Sequence, residues 1–188
     1  MSSRQIIVTG FMGSGKTTIS DALALMLGCR AIDLDQLIAE SERRTPKEII
    51  EQDGEPAFRE IETRLLREVL EQDGQQVIAL GGGAWTIQRN RDLIAERNCF
   101  TVWLNAPFEL CWQRIVASGS QRPLARNKEQ AQMLHTQRQF LYKLAALHVL
   151  AEVGRGADEL ALTIAKAFFD ETTVGQCPPK SIVPKVDR

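Results

Sequence analysis

The sequence has little net charge, no long apolar run and no regular pattern of cysteines. Its 188 residues carry a formal net charge of −1, so no general positive field would attract nucleic acid or anionic lipid. No apolar stretch approaches the length of a membrane span, and the first residues show neither the apolar core nor the cleavage site of a secretory signal. We therefore expect a cytoplasmic protein that binds neither nucleic acid nor a membrane. Anionic ligands would have to be held by individually placed Arg and Lys side chains.

The four cysteines do not form a metal-binding or redox motif. They are Cys29, Cys99, Cys111 and Cys177, and none belongs to a C-x-x-C pair. The first three lie in or beside apolar runs, which favours reduced thiols over disulfides. The length fits one domain, the hydrophobic fraction of 44% is ordinary for a globular protein, and no internal repeat is visible.

Short apolar strand patterns alternate with helical patterns along the chain. The predicted strands are Ile6–Val8, Ala31–Asp33, Val77–Leu80, Cys99–Leu104 and a segment within Leu147–Val153. The predicted helices are Thr17–Leu27, one capped by Thr45 with Pro46 at its first position, an amphipathic helix over Phe58–Leu70, one opened by Pro107, and the helices Glu129–Lys143 and Asp158–Phe168. This alternation predicts an α/β sandwich with a mainly parallel sheet.

The last part of the chain has a different composition. Residues 172–188 contain Pro178, Pro179 and Pro184 and show no apolar period, so we expect a disordered tail after a single domain over residues 1–171. Within the domain, residues 121–128 are polar and rich in arginine, which indicates a mobile loop.

One segment fits a phosphate-binding motif in its required context. Residues 10–17, from Gly10 to Thr17, match G-x-x-x-x-G-K-[ST], with a predicted strand before the motif and a predicted helix after it. Glycines let successive backbone N–H groups turn towards phosphate oxygens, and the helix adds its positive end. Lys16 would reach the β- and γ-phosphates, and the Thr17 hydroxyl would coordinate Mg²⁺. The alternative is a glycine-rich turn without a ligand; the motif itself says nothing about the acceptor.

Two aspartates follow the second predicted strand. In extended chain, Asp33 and Asp35 would point the same way, above the sheet edge where open α/β folds bind ligands. We expect Asp33 near a metal ion and Asp35 near a reacting hydroxyl. The alternative is that Asp35 is the N-cap of a following helix, and the spacing favours neither interpretation.

Two arginines are candidates for binding a carboxylate. Arg59 lies at the edge of the apolar face of its helix, and Glu62, three residues on, can hold its guanidinium for bidentate capture of an anion. By itself the pattern favours a surface ion pair, and Arg138 on a polar helix face would usually be solvated.

A triple glycine and an arginine-rich loop complete the candidate site. Gly81-Gly82-Gly83 follows a strand, and three glycines in a row indicate a close approach to the backbone rather than a turn that needs positive φ. Arg122, followed by Pro123-Leu124, lies in the polar loop and could close over a γ-phosphate, but by itself the pattern favours an ordinary charged loop.

Taken together, these residues resemble the shikimate kinase family, over about residues 6–142. The matching blocks are the segment Phe11–Thr17, Asp33-Leu34-Asp35 with Ile38, Gly54-Glu55 with Phe58-Arg59 and Glu62, Gly81–Gly83, Arg122-Pro123-Leu124, and Arg138 with Leu141-Tyr142. Each block alone is weak evidence, whereas their order and spacing are specific. The resemblance is looser after Tyr142, and Phe140 stands where the family often has proline.

The resemblance implies a fold and an activity. The fold is a three-layer α/β/α sandwich with a five-stranded parallel sheet, the nucleoside-monophosphate-kinase-like form of the P-loop NTPases. The activity is transfer of the ATP γ-phosphoryl group to the 3-hydroxyl of shikimate, on the route to chorismate and the aromatic amino acids. ATP is then the co-substrate, one Mg²⁺ ion is bound per subunit, and the protein is expected to be a monomer.

The resemblance also implies a role for each matching residue. The ATP-binding set is Gly13, Ser14, Gly15, Lys16, Thr17, Thr18, Arg114, Arg122 and Arg155, with Thr17 and Asp33 holding the metal. The substrate-binding set is Asp35, Arg59, Gly81, Gly82 and Arg138, and the catalytic set is Lys16, Asp35 and Arg122. In these sets Arg122 belongs to a lid over about residues 119–128, Arg114 stacks on adenine, and Arg59 and Arg138 bind the shikimate carboxylate.

Two other functions remain open at this point. A kinase of the same fold that acts on gluconate or a nucleotide would keep the phosphate loop but would not need both carboxylate-binding arginines. A relative that only binds a nucleotide or a partner would not need Lys16, Thr17, Asp33, Asp35 and Arg122 together.

Overall fold

A computed structural model of the protein describes residues 4–118 and 127–174. Its centre is a five-stranded parallel sheet in the order β2-β3-β1-β4-β5. The strands are β1 Ile6–Thr9, β2 Arg30–Asp33, β3 Gln76–Ala79, β4 Phe100–Asn105 and β5 Leu147–Leu150. Every residue of β1 and β3 is buried, so helices cover both faces of the sheet, as the predicted α/β sandwich requires.

Eight α-helices and one short 3₁₀ turn surround the sheet in the described part of the chain. The helices are α1 Lys16–Leu27, α2 Leu34–Glu42, α3 Pro46–Asp53, α4 Glu55–Leu70, α5 Gln88–Glu96, α6 Phe108–Ala117, α7 Lys128–Tyr142 and α8 Ala157–Val174. The 3₁₀ turn is Ala84–Thr86. Helix α1 packs against α8 and against the sheet, while α4 packs against α2, α3 and α5. None of the helices in these residues is long and apolar enough to cross a membrane.

Two helix ends form as their sequence signals predict. Gly28 ends α1 in the left-handed conformation at φ 64°, and its N–H bonds to the carbonyls of the last turn. Thr45 caps α3 in a complete capping box, in which its hydroxyl accepts from the Glu48 N–H and the Glu48 carboxylate accepts from the Thr45 N–H. These ends fix where the chain leaves one element and enters the next.

The strand order brings the candidate motifs to one edge of the sheet. In register, Ala79 of β3 lies between Asp33 of β2 and Val8 of β1, and Thr9 pairs with Trp103 of β4. The segments that follow β1, β2 and β3 therefore leave the sheet side by side at its carboxyl end. The phosphate loop, the paired aspartates and the triple glycine all belong to these segments.

The structure differs from the predicted elements at helices α2, α5 and α8. Helix α2 begins at Leu34, where extended chain was expected from Asp33 to Asp35. Helix α5 was not predicted, because one of its core-facing positions is the polar Asn90, which is fully buried and donates to the Ala84 carbonyl at 3.0 Å. Helix α8 continues to Val174, past the predicted end at Phe168 and into the first residues of the predicted tail. Arg4 and Glu171 form an ion pair at 3.1 Å that ties this last part of α8 to the start of the sheet. Residues 175–188 lie outside the described part of the chain.

Candidate active site

A cavity of about 680 Å³ opens at the carboxyl edge of the sheet. Its wall combines the phosphate loop, both aspartates, the start of α3, three side chains of α4, the triple glycine, and one arginine each from α6 and α7. This volume lies within the range of pockets that enclose small-molecule ligands. Motifs that are distant in sequence therefore share one site.

The phosphate loop has the geometry of an anion-binding turn. Gly13 has φ 77°, and a Cβ built there would lie 2.6 Å from the Cys111 carbonyl oxygen, so only glycine fits. Gly15 is the N-cap of α1 and supplies no side-chain cap, which leaves the first N–H groups of the helix for a ligand. Lys16 lines the cavity and donates from Nζ to the Phe11 carbonyl at 3.0 Å. An anion in this turn would be surrounded by backbone donors and the Lys16 ammonium.

Hydroxyl side chains flank the loop. The Thr17 hydroxyl donates to Asp33 Oδ2 at 2.6 Å, which places a hydroxyl and a carboxylate oxygen together at the cavity wall. Thr18 also lines the cavity, whereas the Ser14 Oγ is buried without a hydrogen-bond partner among the described residues. Oxygen groups of this kind are the ligands that Mg²⁺ prefers.

The structure shows which of the two aspartates caps helix α2 and whether the chain between them is extended. The N-cap of α2 is Asp33, whose Oδ1 accepts from the N–H groups of Asp35 at 3.0 Å and Gln36 at 3.3 Å. The interpretation of Asp35 as the cap is therefore wrong. The expected extended geometry is also wrong, because the chain becomes helical at Leu34 and Asp35 lies in the first turn of α2. Both side chains nevertheless line the cavity, since that first turn faces it.

Two of the three consecutive glycines, Gly81 and Gly83, are needed because three side chains of the cavity wall approach them closely. None of the three residues has positive φ, so a left-handed turn is not the reason for them. A Cβ at Gly81 would lie 2.5 Å from Asp35 Oδ1 and 3.0 Å from Glu62 Oε1. A Cβ at Gly83 would overlap the guanidinium of Arg59. The predicted close approach is confirmed, and the approaching groups are side chains of the protein's own site.

Arg59 is held between two carboxylates. Its Nε and Nη2 donate to Glu55 Oε1 at 3.2 and 2.9 Å, and Nη1 donates to Glu62 Oε2 at 2.8 Å. The Arg59 side chain is 17% exposed and that of Glu62 is fully buried. The alternative of a surface ion pair is therefore wrong, and the guanidinium is fixed at the cavity wall.

The burial of Glu62 changes its acidity. Loss of hydration raises the pKa of the Glu62 carboxyl to about 7, although Arg59 and Arg138 favour its ionised form, and the nearby Asp35 charge adds to the rise. Glu62 Oε1 has no hydrogen-bond partner among the described residues. The site therefore contains a buried carboxyl group that changes its charge near neutral pH.

Arg138 lies opposite Arg59 and is not solvated as its sequence context suggested. It is 8% exposed, and its Nη1 donates to the Gly82 carbonyl at 3.0 Å. The Tyr142 hydroxyl donates to the same carbonyl at 2.6 Å, and burial raises the pKa of Tyr142 to about 12, so this phenol stays neutral. Helix α7 is thereby tied to the glycine segment, and two guanidinium groups face one cavity.

The remaining predicted ATP-binding arginines have different outcomes. Arg114 lines the cavity and donates from Nη1 to the Gly13 carbonyl at 3.2 Å. Arg155 is not among the residues that line the cavity, and its guanidinium bonds to Glu159 at 2.8 Å and the Leu150 carbonyl at 3.1 Å. Arg122 and residues 119–126 of the lid predicted over about residues 119–128 lie outside the described part of the chain, while Lys128 begins α7.

Some residues of the site were not assigned from sequence. Glu55 binds Arg59 from one helical turn away, a spacing that the sequence shows but that is common on solvated helices. Thr45, Pro46, Lys47 and Ile50 line the cavity from α3. They carry no motif, and only the packing of α3 on α4 brings them there.

Comparison with known proteins gives a consistent result. A family model described as shikimate kinase matches residues 12–168. A shikimate kinase of Cereibacter sphaeroides is 35% identical over 169 residues, covering 88% of this chain and 82% of that protein. A shikimate kinase of Geobacter sulfurreducens is 37% identical over 165 residues, covering 86% and 89%.

Solved structures agree with the sequence comparison. A shikimate kinase from Acinetobacter baumannii in complex with shikimate superposes with a TM-score of 0.81 and 33% identity, covering 89% of this chain and 94% of that chain. A gluconokinase from Sinorhizobium meliloti has a TM-score of 0.59 at 19% identity, covering 93% and 98%, which is a likeness of fold alone.

Proposed function

This chain belongs to the shikimate kinase family, and we propose that its cavity binds ATP at the phosphate loop and shikimate between Asp35, Arg59 and Arg138. The activity is transfer of the γ-phosphoryl group of ATP to the 3-hydroxyl of shikimate, which gives shikimate 3-phosphate and ADP. The observation that carries the assignment of residues is the continuity of one cavity from Lys16 to Arg138.

The phosphate loop is the proposed site of the ATP phosphates. Backbone N–H groups of Gly13, Ser14 and Gly15 and the first turn of α1 would bind the phosphate oxygens, and Lys16 would leave the Phe11 carbonyl to reach the transferred group. Thr18 and Arg114 would complete the wall around the nucleotide. This set provides fixed positive charge where negative charge accumulates during transfer.

Thr17 and Asp33 fit a Mg²⁺ ion that is shared with a nucleotide. Asp33 uses Oδ1 to cap α2, so Oδ2 and the Thr17 hydroxyl are the oxygens directed to the cavity. No group of three His, Cys, Asp or Glu side chains is arranged to hold a metal within the described ranges. A site with one carboxylate and one hydroxyl suits an ion whose other ligands are phosphates and water. Bound there, Mg²⁺ would neutralise charge on the phosphate oxygens.

The opposite end of the cavity is the proposed acceptor pocket. Arg59 and Arg138 provide two guanidinium groups for the shikimate carboxylate, and each is already oriented by a bond to the protein. Asp35 lines the same cavity, where it would accept a hydrogen bond from the reacting hydroxyl. Gly81 and Gly82 would let the ring approach the backbone. Because phosphoryl transfer depends mainly on positioning, Asp35 can act by orienting the hydroxyl or by accepting its proton.

A substrate panel tests the function. Purified protein with Mg²⁺ and ATP is offered shikimate, gluconate and nucleoside monophosphates, and ADP release is measured. Shikimate should stimulate release and the others should not. Stimulation that survives Lys16→Met would contradict the assigned phosphate site.

A pair of matched variants tests the acceptor pocket. Arg59→Ala should raise the KM for shikimate far more than the KM for ATP, because only the shikimate carboxylate loses its partner. Arg64→Ala removes an arginine from the same helix that is 47% exposed and ion-paired with Glu42 and Glu68, so both KM values should stay unchanged. Equal effects of Arg59→Ala on the two substrates would contradict the pocket.

The monomeric state and the cytoplasmic location expected from the sequence remain predictions. Light scattering of the purified protein under assay conditions would test the oligomeric state.

A further inference from the structure

The two oxygens of the Glu62 carboxylate have unequal environments. Oε2 accepts from Arg59 Nη1 at 2.8 Å, whereas Oε1 is buried and has no hydrogen-bond partner among the described residues. A Cβ built on Gly81 would lie 3.0 Å from this Oε1 and 2.5 Å from Asp35 Oδ1, so the two carboxylates meet beside Gly81. Glu62 therefore uses one oxygen to hold Arg59, while its other oxygen lies beside Gly81, close enough to Asp35 for the two charges to interact.

Opposite charges in the buried part of the pocket are balanced before an anion binds. Arg59 and Arg138 are positive, and Asp35 and ionised Glu62 are negative, so the formal charges of these four groups, which interact around Glu62, sum to zero. A bound carboxylate would add a third negative charge to two positive ones. In a site shielded from water such an excess is costly, because weak solvation leaves the charges unscreened.

Other charged groups around Glu62 are already paired or lie towards solvent. On its own helix, Glu55 is 44% exposed and shares Arg59. On α3, Lys47 lines the cavity and lies 3.9 Å from Glu51. On α5, Arg89 is bonded to Glu60, and the 3₁₀ turn Ala84–Thr86 contributes no charge. The group best placed to change charge is therefore Glu62 itself.

We propose that Glu62 takes up a proton at Oε1 when the carboxylate of the acceptor binds to Arg59 and Arg138. This inference rests on the acceptor pocket proposed above. The incoming carboxylate competes for the Arg59 guanidinium and adds a nearby negative charge, and both effects favour the neutral form of Glu62. The protonated Oε1 can donate a hydrogen bond towards Asp35, so the buried oxygen would then have a hydrogen-bond partner. Glu62 is thus a positioning residue whose charge follows occupancy of the pocket.

The direction of the pH dependence follows from the acidity of Glu62. Its pKa is raised to about 7 in the free protein, and binding raises it further, so protons are taken up at pH values between the two. If binding raises the pKa of Glu62 by about one unit, about half a proton is taken up at pH 7.5. The Kd for shikimate then increases almost tenfold from about pH 6 to pH 9. The carboxylate of an ordinary carboxylic acid stays ionised over this range and contributes nothing.

Calorimetric titration of the full chain with shikimate tests this directly. The titration is run at pH 7.5 in buffers of different ionisation enthalpy, and the slope of apparent enthalpy against buffer enthalpy gives the protons taken up. Net uptake by the wild-type protein is expected. Tight shikimate binding with no uptake overturns the proposal about Glu62 but leaves the pocket intact, whereas no binding at all overturns the pocket.

Variants of the two carboxylates that bind the Arg59 guanidinium distinguish proton uptake by Glu62 from simple anchoring of Arg59. Glu62→Gln keeps a carbonyl oxygen for Arg59 but cannot titrate, so uptake should vanish and the Kd should become independent of pH between 6 and 9. Glu55→Gln changes the exposed partner of Arg59 and should keep the wild-type uptake. If Glu62 only anchored Arg59, Glu62→Gln would weaken binding equally at all pH values and leave uptake unchanged, which would overturn the proposal.

Discussion

Gly83→Ala would place a methyl group where the Arg59 guanidinium now lies. The built Cβ lies 2.7 Å from Nη1 and 2.8 Å from Cζ of Arg59, closer than real Cβ contacts allow. Gly83 has φ −105°, a conformation that alanine adopts without strain, so the backbone can stay as it is. The arginine must therefore move, although its head group is fixed by Glu55 and Glu62.

The size of the effect follows from what a displaced guanidinium loses. A hydrogen bond to a charged group contributes about 1.5–3 kcal/mol, so losing the Arg59 contact to the acceptor carboxylate should cost about this amount. That corresponds to a KM for shikimate raised by about 10-fold to 150-fold. The KM for ATP should change little, because neither Gly83 nor Arg59 belongs to the phosphate loop or to the proposed nucleotide-binding residues.

Initial rates in a double-mutant cycle check whether the effect passes through Arg59. Gly83→Ala, Arg59→Ala and the double variant are compared with wild-type protein, and thermal unfolding confirms that each variant folds. In the Arg59→Ala background the methyl group has free space, so it should raise the KM for shikimate no further. A Gly83→Ala effect that persists in that background, or one shared equally with ATP, would refute the steric reasoning.

Three further predictions concern the metal, the glycine segment and α3. Asp33→Asn keeps an oxygen that caps α2 but removes the charge, so the Mg²⁺ concentration for half-maximal rate should rise while the melting temperature hardly changes; an unchanged Mg²⁺ titration would count against the metal role. Tyr142→Phe removes the 2.6 Å bond to the Gly82 carbonyl and should lower the free energy of unfolding by about 1 kcal/mol in denaturant titrations, whereas no loss would mean that Arg138 alone satisfies that carbonyl. Thr45→Ala breaks the capping box of α3 and should cost about 1 kcal/mol in the same titrations, with Thr45→Ser as a control that stays near wild type.

The fold was largely predictable because its signals are local. A β-branched run before the glycine-rich turn, the glycine after α1 and the capping box at Thr45 each occupy a few consecutive residues, and each forms as expected. Helix α5 was not predicted because the polar Asn90 takes a core position through a bond to the Ala84 carbonyl in the preceding turn, which an apolar period cannot show. The strand order likewise depends on packing between segments far apart in sequence.

The candidate site was predictable in its phosphate half and only by resemblance in its acceptor half. The spacing from Gly10 to Lys16 predicts phosphate binding directly, because it sets how the backbone curves around a phosphate group. By contrast, Arg59 with Glu62 has the same spacing as many solvated ion pairs, and what distinguishes it is the complete burial of Glu62. Burial of one side chain depends on several helices at once. Local sequence therefore left two interpretations of Arg59 that the structure separates.

The same burial bears on how the pocket selects an anion. An excess of positive charge does not explain how the pocket selects an anion, because Asp35 and Glu62, when both carboxylates are ionised, balance the charges of Arg59 and Arg138. A pocket that is neutral overall can bind a carboxylate through the fork geometry of its guanidinium groups, by changing its own charge, or by both. Geometry alone predicts affinity that is flat with pH, whereas a titrating Glu62 predicts affinity that falls as pH rises above about 7. The pH dependence of shikimate binding therefore distinguishes a preformed anion site from one that adjusts its charge to its ligand.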